Sequence, residues 1–174
     1  MKKVVKFGGS SLASAEQFMK VGAIIRADES RRYVVPSAPG KRFSDDTKVT
    51  DMLYHCYELA EQSKAFNKQL NQIKDRYNEI IYGLKLDLSL DEDFEIIKKQ
   101  FVAKAGSMYA ASRGEYLNGK IMAKYLGYEF VDAANVIRFN KDGSFDSETT
   151  NELLATYFCL LYTSDAADDL IGVD

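Results

Sequence analysis

Val4, Val5 and Phe7 form a short apolar run, β-branched and aromatic, that predicts a buried strand almost at the start of the chain. Gly8-Gly9-Ser10-Ser11 breaks that run. Ser14-Ala15-Glu16-Gln17 then has the form of a capping box, and Phe18, Val21, Ile24 and Ile25 follow at helical spacing. Asp28-Glu29-Ser30 ends the helix in polar residues. Tyr33-Val34-Val35 predicts a second strand, whose unbroken apolar character suits a sheet covered on both faces. Strand, helix, strand is a βαβ unit and points to an α/β class with parallel pairing.

Pro36-Ser37-Ala38-Pro39-Gly40 stops the second strand, and the loop continues through Lys41-Arg42-Phe43-Ser44-Asp45-Asp46. From about residue 48 to 105 the pattern turns helical. Val49, Met52, Leu53, Cys56, Leu59 and Ala60 make one apolar face, and Phe66, Leu70, Ile73, Tyr77, Ile80 and Ile81 make another, with Gly83 as its stop. Asp91-Glu92-Asp93 opens a third helix with acidic residues, as the helix dipole favours, and Phe94, Ile97 and Phe101 belong to it. This block reads as a helical excursion from the sheet, a lid or docking surface. Ser107, Ala110, Ala111 and Gly114 then place a stripe of small residues on one helix, which Leu117, Ile121, Met122, Tyr125 and Leu126 continue until Gly127. Tyr128-Glu129-Phe130-Val131-Asp132 predicts a third strand and Val136-Ile137-Arg138-Phe139 a fourth or an edge segment. Asn140-Lys141-Asp142-Gly143 is a turn, and Ser147-Glu148-Thr149-Thr150 starts a last helix with Leu153 and Leu154 on its apolar side.

Composition narrows the function classes. The 174 residues are 46% hydrophobic and 28% charged, with a net charge of -3. That is enough apolar material for a core, and the charge argues against a nucleic-acid-binding domain. No stretch approaches the length of a membrane span, and no apolar segment follows Met1-Lys2-Lys3 as a signal peptide requires. Cys56 and Cys159 are isolated and read as free thiols of a reducing, cytoplasmic compartment. His55, the single histidine, has no ligand or triad pattern around it and reads as a packing or surface residue.

The candidate chemistry lies at the two strand ends. A strand, a glycine turn and a helix N-terminus make an anion site, because uncovered N–H groups and the helix dipole point the same way. Lys6, on the strand before the turn, can hold a phosphate as a point charge. Alone, Gly8-Gly9-Ser10 is equally a tight turn; it is neither a Walker A loop nor a dinucleotide fingerprint. The loop after the second strand lies at the same sheet edge, where open α/β sheets bind ligands, so the two loops predict one shared pocket. Ser112-Arg113-Gly114-Glu115 adds a glycine inside a helix and a carboxylate beside its small face, which makes sense if Glu115 meets a positively charged ligand group. No metal-ligand cluster stands out.

Four separated segments resemble aspartokinases, members of the amino-acid kinase family. They are Lys6-Phe7-Gly8-Gly9-Ser10-Ser11, Val35-Pro36-Ser37-Ala38-Pro39-Gly40, Val49-Thr50-Asp51-Met52-Leu53 and Ser112-Arg113-Gly114-Glu115. The first and last are the most specific, and Pro36 replaces a more usual apolar residue. The resemblance implies an amino-acid kinase-like (carbamate kinase-like) three-layer αβα sandwich with a mainly parallel sheet, incomplete in this chain. It implies ATP-dependent phosphorylation of the side-chain carboxylate of L-aspartate, with Mg²⁺, in a cytoplasmic homo-oligomer on the route to lysine, threonine and methionine. By that resemblance Lys6, Gly8, Gly9, Ser10 and Ser11 hold the ATP phosphates, with Lys6 catalytic. Ser37, Thr50 and Glu115 orient aspartate, Glu115 through its α-ammonium. Another amino-acid kinase, of glutamate 5-kinase or acetylglutamate kinase type, and a non-catalytic phosphate-binding module are the alternatives. The first should lack Ser-Arg-Gly-Glu here.

Residues 1–158 resemble the N-terminal part of such a catalytic domain. The segment after Phe158 departs from the family: it has no lysine or arginine, and Tyr162-Thr163-Ser164-Asp165-Ala166-Ala167-Asp168-Asp169 has no clear strand or helix period. Residues 159–174 therefore read as a non-native tail, and the catalytic aspartate and nucleotide-base pocket of the family are expected beyond this chain.

Overall fold

The computed structural model describes residues 2–168, with side chains through residue 158. The expected tail falls partly outside the described residues, at 169–174. The chain divides into two compact units, one up to Phe130 and one from Val131 onward.

The first unit is α/β. Strand β1 (Lys3–Phe7) pairs in parallel with β2 (Arg31–Pro36), and helix α1 (Ala15–Arg26) connects them. Ser14 caps α1 as its spacing predicts, its hydroxyl accepting from the Gln17 N–H at 3.4 Å. The sheet differs from expectation in coverage. Val5, Phe7 and Val34 pack against the core, whereas Val4 (69% exposed), Lys6 and Val35 (48% exposed) share an open face. The apolar run is real, but among the described residues only one face of this pair is covered.

Helices α2 (Val49–Glu61), α3 (Asn67–Gly83), α4 (Asp91–Val102) and α5 (Ser107–Leu126) complete the unit. Their apolar faces are those the spacing predicts: Leu53, Cys56, Ile73, Tyr77, Ile80, Phe94, Ile97, Phe101, Leu117 and Ile121 are buried in one core with Phe18 and Ile25 of α1. Residues from 48 to 105 thus supply much of this core. Asp93 of α4, nearly buried, meets Lys120 Nζ of α5 at 2.7 Å and accepts from Tyr116 OH at 3.1 Å, so its charge is paired. Gly127 closes α5 in the left-handed region at φ 71°, where a side chain would be strained.

The third and fourth strands expected at 128–132 and 136–139 do not form. A strand needs a partner edge, and here other contacts take these residues. The Phe130 ring packs edge-on against Tyr116 at 5.4 Å, over Gly119. In the second unit, Asp132 caps the short helix α6 (Ala133–Val136) by accepting from the Ala134 N–H. The Arg138 guanidinium donates to the carbonyls of Ala134, Asn135 and Ile137, and only Phe139 makes a bridge, antiparallel to Phe145. The turn at Asn140–Gly143 forms as expected, with Gly143 at φ 84°. Helix α7 (Ser147–Asp168) follows, its backbone running on through residues whose sequence has no helical period. No described helix is long and apolar enough to cross a membrane.

Candidate active site

The end of β1 and the end of β2 meet through their backbones. The Ser37 N–H donates to Phe7 O at 3.0 Å, and the Gly40 N–H donates to Gly9 O at 2.8 Å. This approach explains Gly9 and Gly40. A Cβ on Gly9 would lie 2.8 Å from Ala38 O, and one on Gly40 would lie 2.7 Å from Ser10 N. Neither Gly8 nor Gly9 has a positive φ. The requirement at Gly9 is therefore close approach and not an unusual backbone angle. Gly8 is extended, with ψ at 166°.

A further turn separates the glycines from α1, whose start agrees with the Ser14 capping box. Residues Gly9–Leu12 form a single 3-10 turn, and α1 starts at Ala15. The Ser11 N–H donates to Gly8 O at 3.1 Å within that turn. The N-terminus of α1 is thus not at Gly8-Gly9, so its dipole does not reinforce the N–H groups of that turn.

Gly9, Ser10, Ser37, Ala38, Pro39, Gly40, Lys41, Lys48, Thr50 and Glu115 line one cleft of about 460 Å³. The two strand-end loops do share one pocket. Five residues singled out from the sequence come together in it: Gly9, Ser10, Ser37, Thr50 and Glu115. Lys6, Gly8 and Ser11 do not line it. Lys6 projects from the open face of the sheet, exposed, with no hydrogen bond or ion pair among the described residues. Lys41 and Lys48 do line the cleft, and sequence reasoning passed over them. The available signal was electrostatic: both are cations carried by the loop that follows the second strand.

Helix α5 brings Glu115 to the cleft. Its Oε1 accepts a long bond from the Ala38 N–H at 3.4 Å. The side chain is exposed, so the burial argument for a cationic partner does not hold; what remains is one carboxylate in a cleft with two lysines. Asn118, one turn further on the same face and fully buried, donates Nδ2 to Ser37 O at 2.6 Å and so fixes the backbone at Ser37. Tyr77 of α3 donates its hydroxyl to Gly114 O at 2.8 Å. Burial, and then the Glu115 charge, hold this phenol well above its ordinary value, so it serves only as a neutral donor.

Gly114 has a steric reason of its own. A Cβ there would lie 2.7 Å from Ala38 Cβ and 3.4 Å from Leu53 Cδ1. Helix α5 approaches the loop after β2 so closely that only glycine fits. Gly114→Ala should therefore lower the melting temperature, although alanine is the better helix former by about 1 kcal/mol. Overpacking of this kind costs about 1–3 kcal/mol. A thermal melt with an unchanged or raised midpoint would disprove the close packing.

Other groups stay outside the cleft. His55 is exposed, with Nδ1 3.8 Å from Glu58. Cys56 is buried, and desolvation pushes its thiol up to about 12, which leaves it an unreactive core residue. Among the described residues no group of three or more His, Cys, Asp or Glu side chains could hold a metal ion.

The amino acid kinase family model matches residues 1–172. Aspartokinase 3 of Bacillus subtilis is 38% identical over 140 residues, covering 77% of this chain and 31% of that protein. The crystal structure of the Clostridium acetobutylicum aspartate kinase is 49% identical, with a TM-score of 0.84 over 88% of this chain and 36% of that one. Escherichia coli aspartokinase III, solved in complex with aspartate and ADP, superposes with a TM-score of 0.71 over 90% of this chain and 37% of its own, at 22% identity, a likeness of fold alone. The chain thus spans about a third of the length of these relatives. With a family match over nearly its whole length, and aspartate kinases among its relatives, the chain belongs to the amino acid kinase family.

Proposed function

We propose that this chain forms the substrate wall of an aspartate kinase, which uses ATP to phosphorylate the side-chain carboxylate of L-aspartate. The carrying observation is the convergence of Ser37, Thr50 and Glu115 with Gly9 and Ser10 in one cleft. The relatives that match the chain are aspartate kinases, and one of them was solved with aspartate and ADP. In the reaction a carboxylate oxygen of aspartate attacks the γ-phosphorus. The O–P bond to ADP breaks, and 4-phospho-L-aspartate and ADP leave. Such transfer needs positioning and charge neutralisation more than covalent help.

Each residue has a role that fits its place. Glu115 pairs with the α-ammonium of aspartate, which selects an amino acid with a free amine over an N-acylated one. Ser37 and Thr50 offer hydroxyls to its carboxylates. Gly9 and Ser10 supply the turn that meets the phosphoryl group, and Lys41 and Lys48 lower the repulsion between two anions. Lys6, Gly8 and Ser11 complete the phosphate side, Lys6 by swinging its free ammonium over the turn. Mg²⁺ does not fit this wall as a resident ion, because Glu115 is the one carboxylate lining the cleft. It would arrive on the nucleotide phosphates, where it would neutralise their charge. A cytoplasmic homo-oligomer acting at the first step toward lysine, threonine and methionine completes the proposal.

The assay is aspartate-dependent ADP release, run on residues 1–174 and on a full-length enzyme containing them. We expect turnover with aspartate only from the longer chain, since residues 1–174 span about a third of the length of the aspartate kinases they match. Preference for glutamate or N-acetylglutamate would overturn the substrate assignment. Equal rates from both chains would show that the site is complete within 174 residues.

A further inference from the structure

Arg76 lies on α3, away from the cleft lining, and is only 5% exposed. Its two terminal nitrogens donate to one loop, while Nε is buried without a partner among the described residues. Nη2 donates to Gly40 O at 2.8 Å, and Nη1 donates to Thr47 O at 3.0 Å and meets Asp46 Oδ2 at 3.1 Å. Gly40 and Thr47 both lie in segment 37–48, which joins β2 to α2, and they bracket most of it. That segment has no helix or strand of its own. It carries both Lys41 and Lys48, so both cleft lysines hang on its placement. Arg42 adds an outer layer, donating to Asp46 at 2.9 Å and to Glu79 of α3 at 2.9 Å. The Arg42 hydrogen bond holds the Asp46 carboxyl well below the usual carboxylate range, so Asp46 stays charged against Arg76.

Burying a guanidinium is costly, and an apolar side chain would fill the same space without that cost. What an apolar residue could not do is bridge two carbonyls seven residues apart. A planar fork with fixed donor directions can.

We propose that Arg76 is a positioning residue for the cleft, clamping both ends of the 40–47 loop and thereby setting Lys41, Lys48 and the start of α2 at Thr50. This rests on the reading of the cleft as the aspartate site. The test uses Arg76→Lys and Arg76→Met in the full-length enzyme, with Glu115→Gln alongside. A lysine keeps the charge but cannot span both carbonyls, so it should not rescue.

Two readouts are taken. Amide hydrogen exchange within 41–48 should speed up while the buried faces of α2 and α3 stay protected. The KM for aspartate should rise about 10- to 100-fold, the scale expected for misplacement of binding groups by about 1 Å, with the KM for ATP little changed. Unchanged exchange and KM in Arg76→Lys would overturn the proposal. So would a lowered melting temperature with both KM values intact, which would leave Arg76 a purely structural residue. If Arg76→Met does not fold, Arg76→Lys and Asp46→Asn decide by the same two readouts. If Glu115→Gln leaves the aspartate KM unchanged, the cleft reading falls, and the exchange rates alone decide whether the clamp exists.

Discussion

Lys6→Ala in the full-length enzyme should lose nearly all turnover, by at least about 100-fold in kcat, the scale on which a single donor to a developing anion acts. Lys6 is the penultimate residue of β1, just before Gly8-Gly9, on the open face of the sheet. Its ammonium has no ion-pair or hydrogen-bond partner among the described residues. An exposed lysine with no partner contributes little to the fold, so the substitution should move stability by no more than about 0.5 kcal/mol. Loss of turnover with an unchanged melting temperature is therefore the expected combination. Lys6→Arg should rescue little, because a planar guanidinium cannot replace a compact ammonium over a tight turn. Near-normal kcat in Lys6→Ala would remove Lys6 from the phosphate site and leave Lys41 and Lys48 as its cations.

The second large effect is expected at Glu115. Glu115→Gln keeps the shape and removes the charge. If the carboxylate reads the substrate ammonium, the aspartate KM should rise about 10- to 150-fold, the equivalent of the 1.5–3 kcal/mol attributed to a hydrogen bond with a charged partner. A fully buried ion pair would predict more, but Glu115 is exposed in the open cleft, and water screens part of the loss. The ATP KM should stay within about twofold, since this interaction is uniform substrate binding on the aspartate side. The Ala38 N–H bond to Glu115 is long, and a glutamine oxygen can still accept it, so the loop itself should not move. Equal rises in both KM values would return Glu115 to a structural role.

Much of the first unit was legible before any coordinates. The strand at Val4–Phe7, the Ser14 cap, the buried faces of α2, α3 and α4 and the stop at Gly127 all depend on residues within about one helical turn of each other, or on alternation along a strand. Such patterns are written locally. The five cleft residues singled out beforehand were legible for a different reason. Gly9, Ser10 and Ser37 follow strand ends and Glu115 stands on a helix whose glycine breaks the propensity rule, whereas Thr50, in the first turn of α2, was marked only by the family resemblance.

What tertiary structure alone decided involves residues far apart in the chain. The segment 128–139 has the residues of strands, but pairing depends on a free edge, and Phe130 found Tyr116 instead. Whether a sheet face is covered depends on what reaches it, so Val4 and Val35 look buried in the sequence and are not. Gly9 and Gly114 read as a turn and a ligand-facing gap; their reason is that Ala38 comes within contact of both. The loop lysines line the cleft on a segment whose backbone Arg76, nearly thirty positions beyond Lys48, grips at Gly40 and Thr47. Propensity and periodicity describe a residue and its neighbours within a turn. Close approach and the clamping of a loop are settled only when distant segments pack.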